Sequence, residues 1–280
     1  SGIDYMFSWH GNADLIVAII KLFEDRINAE HDINEVGVQA ILLVEDSVRY
    51  YSTYLPELYK LILKQSAEFL KETLNEQQRK GRKRSRPKIL LATNLDDAMM
   101  FYEKYKNNLL GVISDVGFVR HKEDSPDKEQ LDAGIELVRY IRKDDPLMPV
   151  LLQSSQDAMS AVAQELGVGF IRKWSKTLMI QLGEYIKEEF GFGDFVFRDA
   201  ERIEYGRASN LKDMEYLVKT IPDDVLIYNT SRNMLSKWLF SRGLFILGSR
   251  FRSMQNSEFA SIDELRRYVS QQIHDFHALN

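Results

Sequence analysis

The chain has 280 residues, room for about two domains, and its 44% hydrophobic and 28% charged content is that of a globular protein with a sizeable core. Lys and Arg number 37 against 42 Asp and Glu, a net charge of −5, which argues against a generally basic nucleic-acid binder. There is no cysteine, so disulfides, thiol nucleophiles and thiolate metal sites are excluded.

Residues 12–30 place Leu15, Ile19, Leu22 and Phe23 at helical spacing, with Asp14 in the first turn, and predict a helix. It is compatible with a homodimer seam or with packing against the rest of the chain. The run 39–44 (QAILLV) is almost wholly apolar and predicts a strand covered on both faces. A helical stretch follows from about Ser47 to Gln78. Positions 79–88 then carry seven Lys or Arg, interrupted by glycine, serine and proline, and read as a solvated loop. Next come a strand at 88–92, a helix Leu95–Lys106, a strand 109–114 ending at Asp115, and a polar loop Arg120–Gln130. A helix 132–143, a strand Pro149–Gln153, a helix Asp157–Leu166, a strand Gly169–Arg172 and a helix Ser175–Phe190 complete the pattern.

Five apolar strands alternating with helices predict an α/β fold, a doubly wound five-stranded parallel sheet. Gly191 and Gly193 break the pattern and read as a hinge. A second small α/β module is expected beyond them. It has strands Phe195–Arg198 and Val225–Tyr228, helices 211–220, 233–242 and 262–278, and Trp238, Leu239, Phe240, Phe245 and Ile246 in its core. The predicted divisions are 1–35, 36–190 and 191–280. The Phe7-Ser-Trp9 segment before the first helix echoes Phe170–Trp174 before Leu178, either by chance or because the chain begins inside the end of an upstream copy of the same fold. No aliphatic run approaches the ~20 residues of a membrane span, and no signal peptide is read at the start. A cytoplasmic location is the expectation.

Chemistry in such sheets sits at the carboxyl ends of the strands. Those ends carry Glu45-Asp46 on the first strand, Asp115 on the third, Ser154 on the fourth and Lys173 after the fifth. Three crowded carboxylates repel one another unless a cation sits among them. Oxygen ligands of this kind suit Mg²⁺. A carboxylate beside such an ion can attack a phosphoryl group, while an amine and a short hydroxyl neutralise and bind its oxygens.

With these residues in order, positions 39–190 resemble a response-regulator receiver domain. Ile41–Ser47 is similar to the family's first strand with its acidic pair, Ile113-Ser-Asp115 to the strand of the phosphorylated aspartate, and Pro149–Ser155 to the strand ending in the conformational Ser or Thr. Phe170-Ile-Arg-Lys173 is similar to the last strand with its aromatic and lysine. The resemblance implies that Glu45, Asp46, Asp115 and the Gly117 carbonyl hold Mg²⁺, and that Asp115 accepts the phosphoryl group. It implies that Ser154 and Lys173 bind the phosphoryl oxygens, and that Phe170 is the switch aromatic. It also implies a histidine kinase or a small phosphodonor as partner. The chain differs from the family's pattern in three places. Trp174 follows the lysine where proline is usual, Val119 stands where another proline is usual, and roughly 11 residues are inserted near 119–130 beside the acceptor.

Beyond the receiver-like part, residues 193–199, 221–228, Arg232-Asn233 and Ser236–Leu239 resemble a module found in some bacterial phosphoenolpyruvate synthase-like proteins. That resemblance implies a regulatory region whose output is a downstream catalytic region of the same chain. No independent catalytic activity is expected beyond self-phosphorylation and dephosphorylation. His274 and His277 stand three residues apart on the last helix but lack a third metal ligand. Two further readings stand beside the first: a phosphorylation-deficient scaffold, and a DNA-binding regulator with 194–280 as output. Neither a membrane nor a nucleic acid is the expected partner.

Overall fold

The structure, a computed structural model, describes residues 5–9, 11–71, 86–232 and 234–278. The contacts divide it into two units. The first comprises the chain up to Gln65 together with Arg86–Gly183; the second takes in the chain from Glu184 onward and the stretch after Gln65. Of the basic run, 79–85 lies outside the described residues.

Through the region of the parallel sheet, α1 is Asp14–Ala29, β1 Ala40–Val44, α2 Val48–Lys71, β2 Lys88–Ala92 and α3 Leu95–Tyr105. β3 is Leu109–Asp115, α4 Ala133–Asp144, β4 Val150–Ser154, α5 Met159–Glu165, β5 Gly169–Arg172 and α6 Leu178–Glu189. The five strands form one parallel sheet in the order β2-β1-β3-β4-β5, the flavodoxin-like doubly wound arrangement. Every residue of β1, β2 and β4 is buried, as strands covered on both faces require. Ala40, Leu42 and Val44 pack with Tyr102 of α3, Leu137 and Ile141 of α4 and Ala163 of α5. The residues of opposite parity, Ile41 and Leu43, are equally buried and face the other side.

The N-terminal helix is part of this unit. Leu15, Ala18, Leu22, Asp25 and Ala29 form its buried face. β2 is an edge strand, and an edge strand leaves backbone groups unpaired. Here the Asp25 carboxylate accepts the Ile89 N–H at 2.9 Å, and Tyr5 Oη donates to the Leu91 carbonyl at 2.8 Å. Asp25 is fully buried, and it also pairs with Arg86 and accepts from Tyr59 Oη at 2.9 Å. Lys88 pairs with Asp32 at 2.6 Å. The last two cations of the basic run are therefore held in ion pairs rather than solvated.

In the second unit, β6 (Phe195–Arg198) and β7 (Glu204–Ala208) form an antiparallel hairpin, followed by α7 (Leu211–Thr220), α8 (Asp223–Thr230), α9 (Met234–Ser241), α10 (Phe245–Arg252) and α11 (Ile262–Ala278). Phe195, Phe197, Trp238, Leu239, Leu247, Val269 and Ile273 share its core. Three expectations are corrected here. Val225–Tyr228 is helical, because Pro222 ahead of Asp223-Asp224 is a helix start with acids in its first turn. Ile246 is turned out to solvent at 67% exposure on α10. Gly191–Gly193 is tied down rather than hinged. The Gly191 carbonyl accepts from Ser241 Oγ and Arg242 at 2.7 and 2.8 Å, and the Gly193 carbonyl from Trp238 Nε1 and Arg242 at 2.9 and 2.7 Å. His274 meets Glu215 at 3.2 Å rather than sharing a metal with His277.

Asp25→Ala leaves Arg86 and Lys88 beside an uncompensated buried site, and the first unit is expected to lose about 3–5 kcal/mol. Urea denaturation reads this as a lowered midpoint; Asp25→Asn, which keeps an oxygen for Ile89 and Tyr59, is expected to lose less. An unchanged midpoint in the alanine variant would show that the network contributes nothing.

Candidate functional site

The sheet register creates the site. Val44 pairs with Ser114, so the next residues, Glu45 and Asp115, leave adjacent strands on the same face. Asp115 pairs in turn with Gln153, and Gln153 with Ile171, two residues before Lys173. The lysine thus reaches across the edge from the fifth strand. Its Nζ lies 2.6 Å from Glu45 Oε2 and 2.5 Å from Asp115 Oδ2. Asp46, which follows Glu45, joins the group: one carboxylate oxygen each of Glu45, Asp46 and Asp115 lies within 4.8 Å of the others.

Each side chain is also held from elsewhere. Glu45 Oε1 accepts the Ser47 N–H at 3.0 Å, at the start of α2. Asp46 Oδ2 accepts the Val119 N–H at 3.2 Å, and Asp115 Oδ1 the Val116 N–H at 2.7 Å. Gly134, at the start of α4, donates its N–H to the Val116 carbonyl at 2.8 Å. A β-carbon there would overlap the Asp115 carbonyl, so only glycine allows α4 to start this close to the acid.

A tyrosine ring faces the lysine. Nζ of Lys173 lies 4.3 Å from the centroid of Tyr50, a cation–π contact. Trp174 meets Tyr50 edge-on at 5.1 Å, and Arg49 lies 5.7 Å from the Trp174 ring. Trp174 has φ of 62° and its side chain is largely exposed. That left-handed conformation is one a large side chain rarely takes. Tyr50 Oη and Tyr54 Oη both bond the buried Gln153 amide, at 3.4 and 3.3 Å. Tyr50, Tyr54 and Gln153 were not among the sequence-derived candidates; a buried Gln within an apolar strand was the available signal.

The other candidates lie around this group. Ser154 ends β4, and its Oγ accepts the Gln156 N–H at 3.2 Å while its carbonyl accepts the Lys173 N–H at 2.9 Å. Phe170 is half-buried against the core beneath α5. Gly117 lies two residues past Asp115, with the Glu129 carboxylate directly over it.

The electrostatics are those of too many acids for one base. Burial pushes Glu45 up, Asp115 adds to the rise, and Lys173 only partly opposes it. Burial also raises Asp115, against the pull of Lys173. For Lys173, burial alone lowers the pKa, but Glu45 and Asp115 together outweigh it and the amine is held charged. Glu45 Oε2 is buried, with the Lys173 ammonium 2.6 Å away. A hard divalent ion of the Mg²⁺ class fits this donor set, which is all oxygen and includes three carboxylates.

No protein-family model matches the chain, and no curated protein does. Among solved structures it is similar to a response regulator receiver domain protein from Clostridium thermocellum. The TM-score is 0.36 and the identity 18%, over 54% of this chain and 92% of that one. The fold class rests on the strand order itself. Among the described residues, no helix is long and apolar enough to cross a membrane.

Burial pushes Asp46 up to about 6, against the Val119 N–H and with Asp115 and Glu129 adding to the rise. A raised folded-state pKa means that the folded chain binds the proton more tightly, so stability is present at low pH and lost as pH rises through about 6. Without divalent cation, the thermal midpoint is expected to rise as pH is lowered from about 7 to about 5, and Asp46→Asn to flatten that slope. A wild-type midpoint that does not rise over this interval would contradict the assignment.

Proposed function

We propose that the first unit is a phosphoacceptor receiver, with Asp115 as the group that becomes phosphorylated. The observation that supports this most is the lysine amine set between Glu45 and Asp115, beside a third carboxylate at the carboxyl edge of the sheet. In this reading one Asp115 oxygen attacks the phosphorus of a phosphohistidine or a small acyl phosphate. The bond from phosphorus to the donor's leaving atom breaks, and an acyl phosphate forms on Asp115. Glu45, Asp46, Asp115 and the Gly117 carbonyl would hold Mg²⁺, which supplies charge neutralisation for the phosphoryl oxygens. Lys173 exchanges its contact with the Asp115 carboxylate for one with a phosphoryl oxygen. Ser154, now engaged with Gln156, turns toward the same group, and Phe170 repacks against the α5 side.

The resemblance of residues 193–239 extends the proposal to the output: a phosphoenolpyruvate synthase-like catalytic region regulated through the second unit. A histidine kinase or a small phosphodonor is the proposed source of the group. The scaffold reading draws on the double pairing of Lys173, which leaves the site partly satisfied without any ligand.

Incubation with acetyl phosphate and Mg²⁺ is expected to give a phosphorylated species by intact mass, labile to hydroxylamine, absent in Asp115→Asn and strongly reduced in Lys173→Met. Phosphorylation that persists in Asp115→Asn would falsify the acceptor assignment, and no saturable cation binding in the wild-type chain would favour the scaffold.

A further inference from the structure

The stretch between β3 and α4 is closed at its base. Phe118 and Gln130 form an antiparallel bridge, with Phe118 N–H to Gln130 carbonyl at 3.2 Å and the reverse bond at 3.0 Å. Beyond this neck the excursion is strapped to its neighbours. The Val119 and Arg120 carbonyls accept the Leu95 and Asp96 N–H groups at 3.1 and 3.2 Å, serving the otherwise unpaired donors at the start of α3. His121 Nδ1 lies 2.6 Å from Asp96, and Arg120 lies 2.6 Å from Glu136 on α4.

Glu129 is the last residue of the excursion before the neck. Its Oε1 occupies the space immediately over the Gly117 Cα, where the β-carbon of any other residue would overlap it. Of the cations on the excursion, Lys128 pairs with Asp124 at 3.2 Å and Arg120 with Glu136. The charge of Glu129 reaches Asp46. A carboxylate is thus held on a tied loop beside three others that share a single lysine. Added negative charge in that position disfavours the empty site and favours a site holding a cation.

We propose that Glu129 is a positioning residue of the cation site, a fourth carboxylate that raises affinity for a divalent ion at Glu45, Asp46 and Asp115. This rests on the cation reading given above. Mg²⁺ keeps several of its waters when protein-bound, and Glu129 acts on that hydration shell and on the local field rather than as a direct ligand. Gly117 is the residue that leaves room for it. The insertion then has a chemical role at the acceptor, apart from any contact it makes with a partner.

The test is Mg²⁺ titration by isothermal calorimetry on the whole chain, comparing wild type, Glu129→Gln, Glu129→Asp and Asp127→Asn, an exposed acid on the same excursion. The dissociation constant is expected to rise about three- to tenfold in Glu129→Gln, in keeping with the loss of one nearby charge. Asp127→Asn is expected to match wild type, and Glu129→Asp to recover part of the affinity. The gap between wild type and Glu129→Gln is expected to narrow as salt is raised, which a purely structural effect would not do. Equal affinities in wild type and Glu129→Gln, or an equal loss in Asp127→Asn, would overturn the proposal for Glu129. Absence of saturable binding in wild type itself would overturn the cation reading on which it rests.

Discussion

Three carboxylates share one edge of a parallel sheet with a single lysine, and much of the first unit is arranged around that imbalance. Within 4.8 Å of one another and at an effective dielectric of about 20, any two of these acids that are both ionised repel by at least about 3 kcal/mol. Three such pairs face one amine with two close contacts. Register alone brings Glu45 and Asp115 together, since the pairing of Val44 with Ser114 leaves no other place for the residues that follow. The fold therefore builds the conflict into its backbone. It offsets part of it with the lysine and with N–H donors from Ser47, Val116 and Val119, and the remainder is a standing preference for positive charge.

The lysine is held between two carboxylates and a tyrosine ring. Tyr50 faces its ammonium, Trp174 closes on Tyr50 from the edge, and Gln153 joins two tyrosines of α2 to the centre of the sheet. A long flexible side chain loses considerable rotamer freedom when fixed, and contact with a ring on one side and carboxylates on the other compensates for that loss. At the opposite edge of the sheet a different acid does comparable work. Asp25 on α1 serves the free N–H of β2 and binds Arg86, so the N-terminal helix both covers the strand and neutralises the cations that lead into it.

The strands of the first unit are legible in the sequence because each is a short, nearly pure apolar run bounded by polar residues. Ala40–Val44 and Lys88–Ala92 are the clearest cases. Glu45, Asp46, Asp115 and Lys173 are legible for a related reason, since the ends of parallel strands meet at one edge whatever the loops do. Glu129 is not, because its place depends on the Phe118–Gln130 bridge, a single pairing with no periodic signature. The solvated reading of the basic run fails at Arg86 and Lys88 because a distant helix supplies the buried acid. In the second unit the signals are weaker. Val225–Tyr228 has the composition of a strand, but the helix start at Pro222-Asp223-Asp224 decides it. Glu204–Ala208 buries only its last residue and so shows no alternation to read.

The neck at Phe118 and Gln130 separates two kinds of tolerance. Its two hydrogen bonds join the ends of the excursion, while the Gly134 N–H to the Val116 carbonyl ties α4 to β3 beneath it. Lengthening a flexible loop is cheap, about 0.6 kcal/mol for each doubling. Between Lys122 and Lys128, beyond the straps at Arg120 and His121, added length is therefore expected to cost little. This makes the bridge a natural socket for grafting a recognition element.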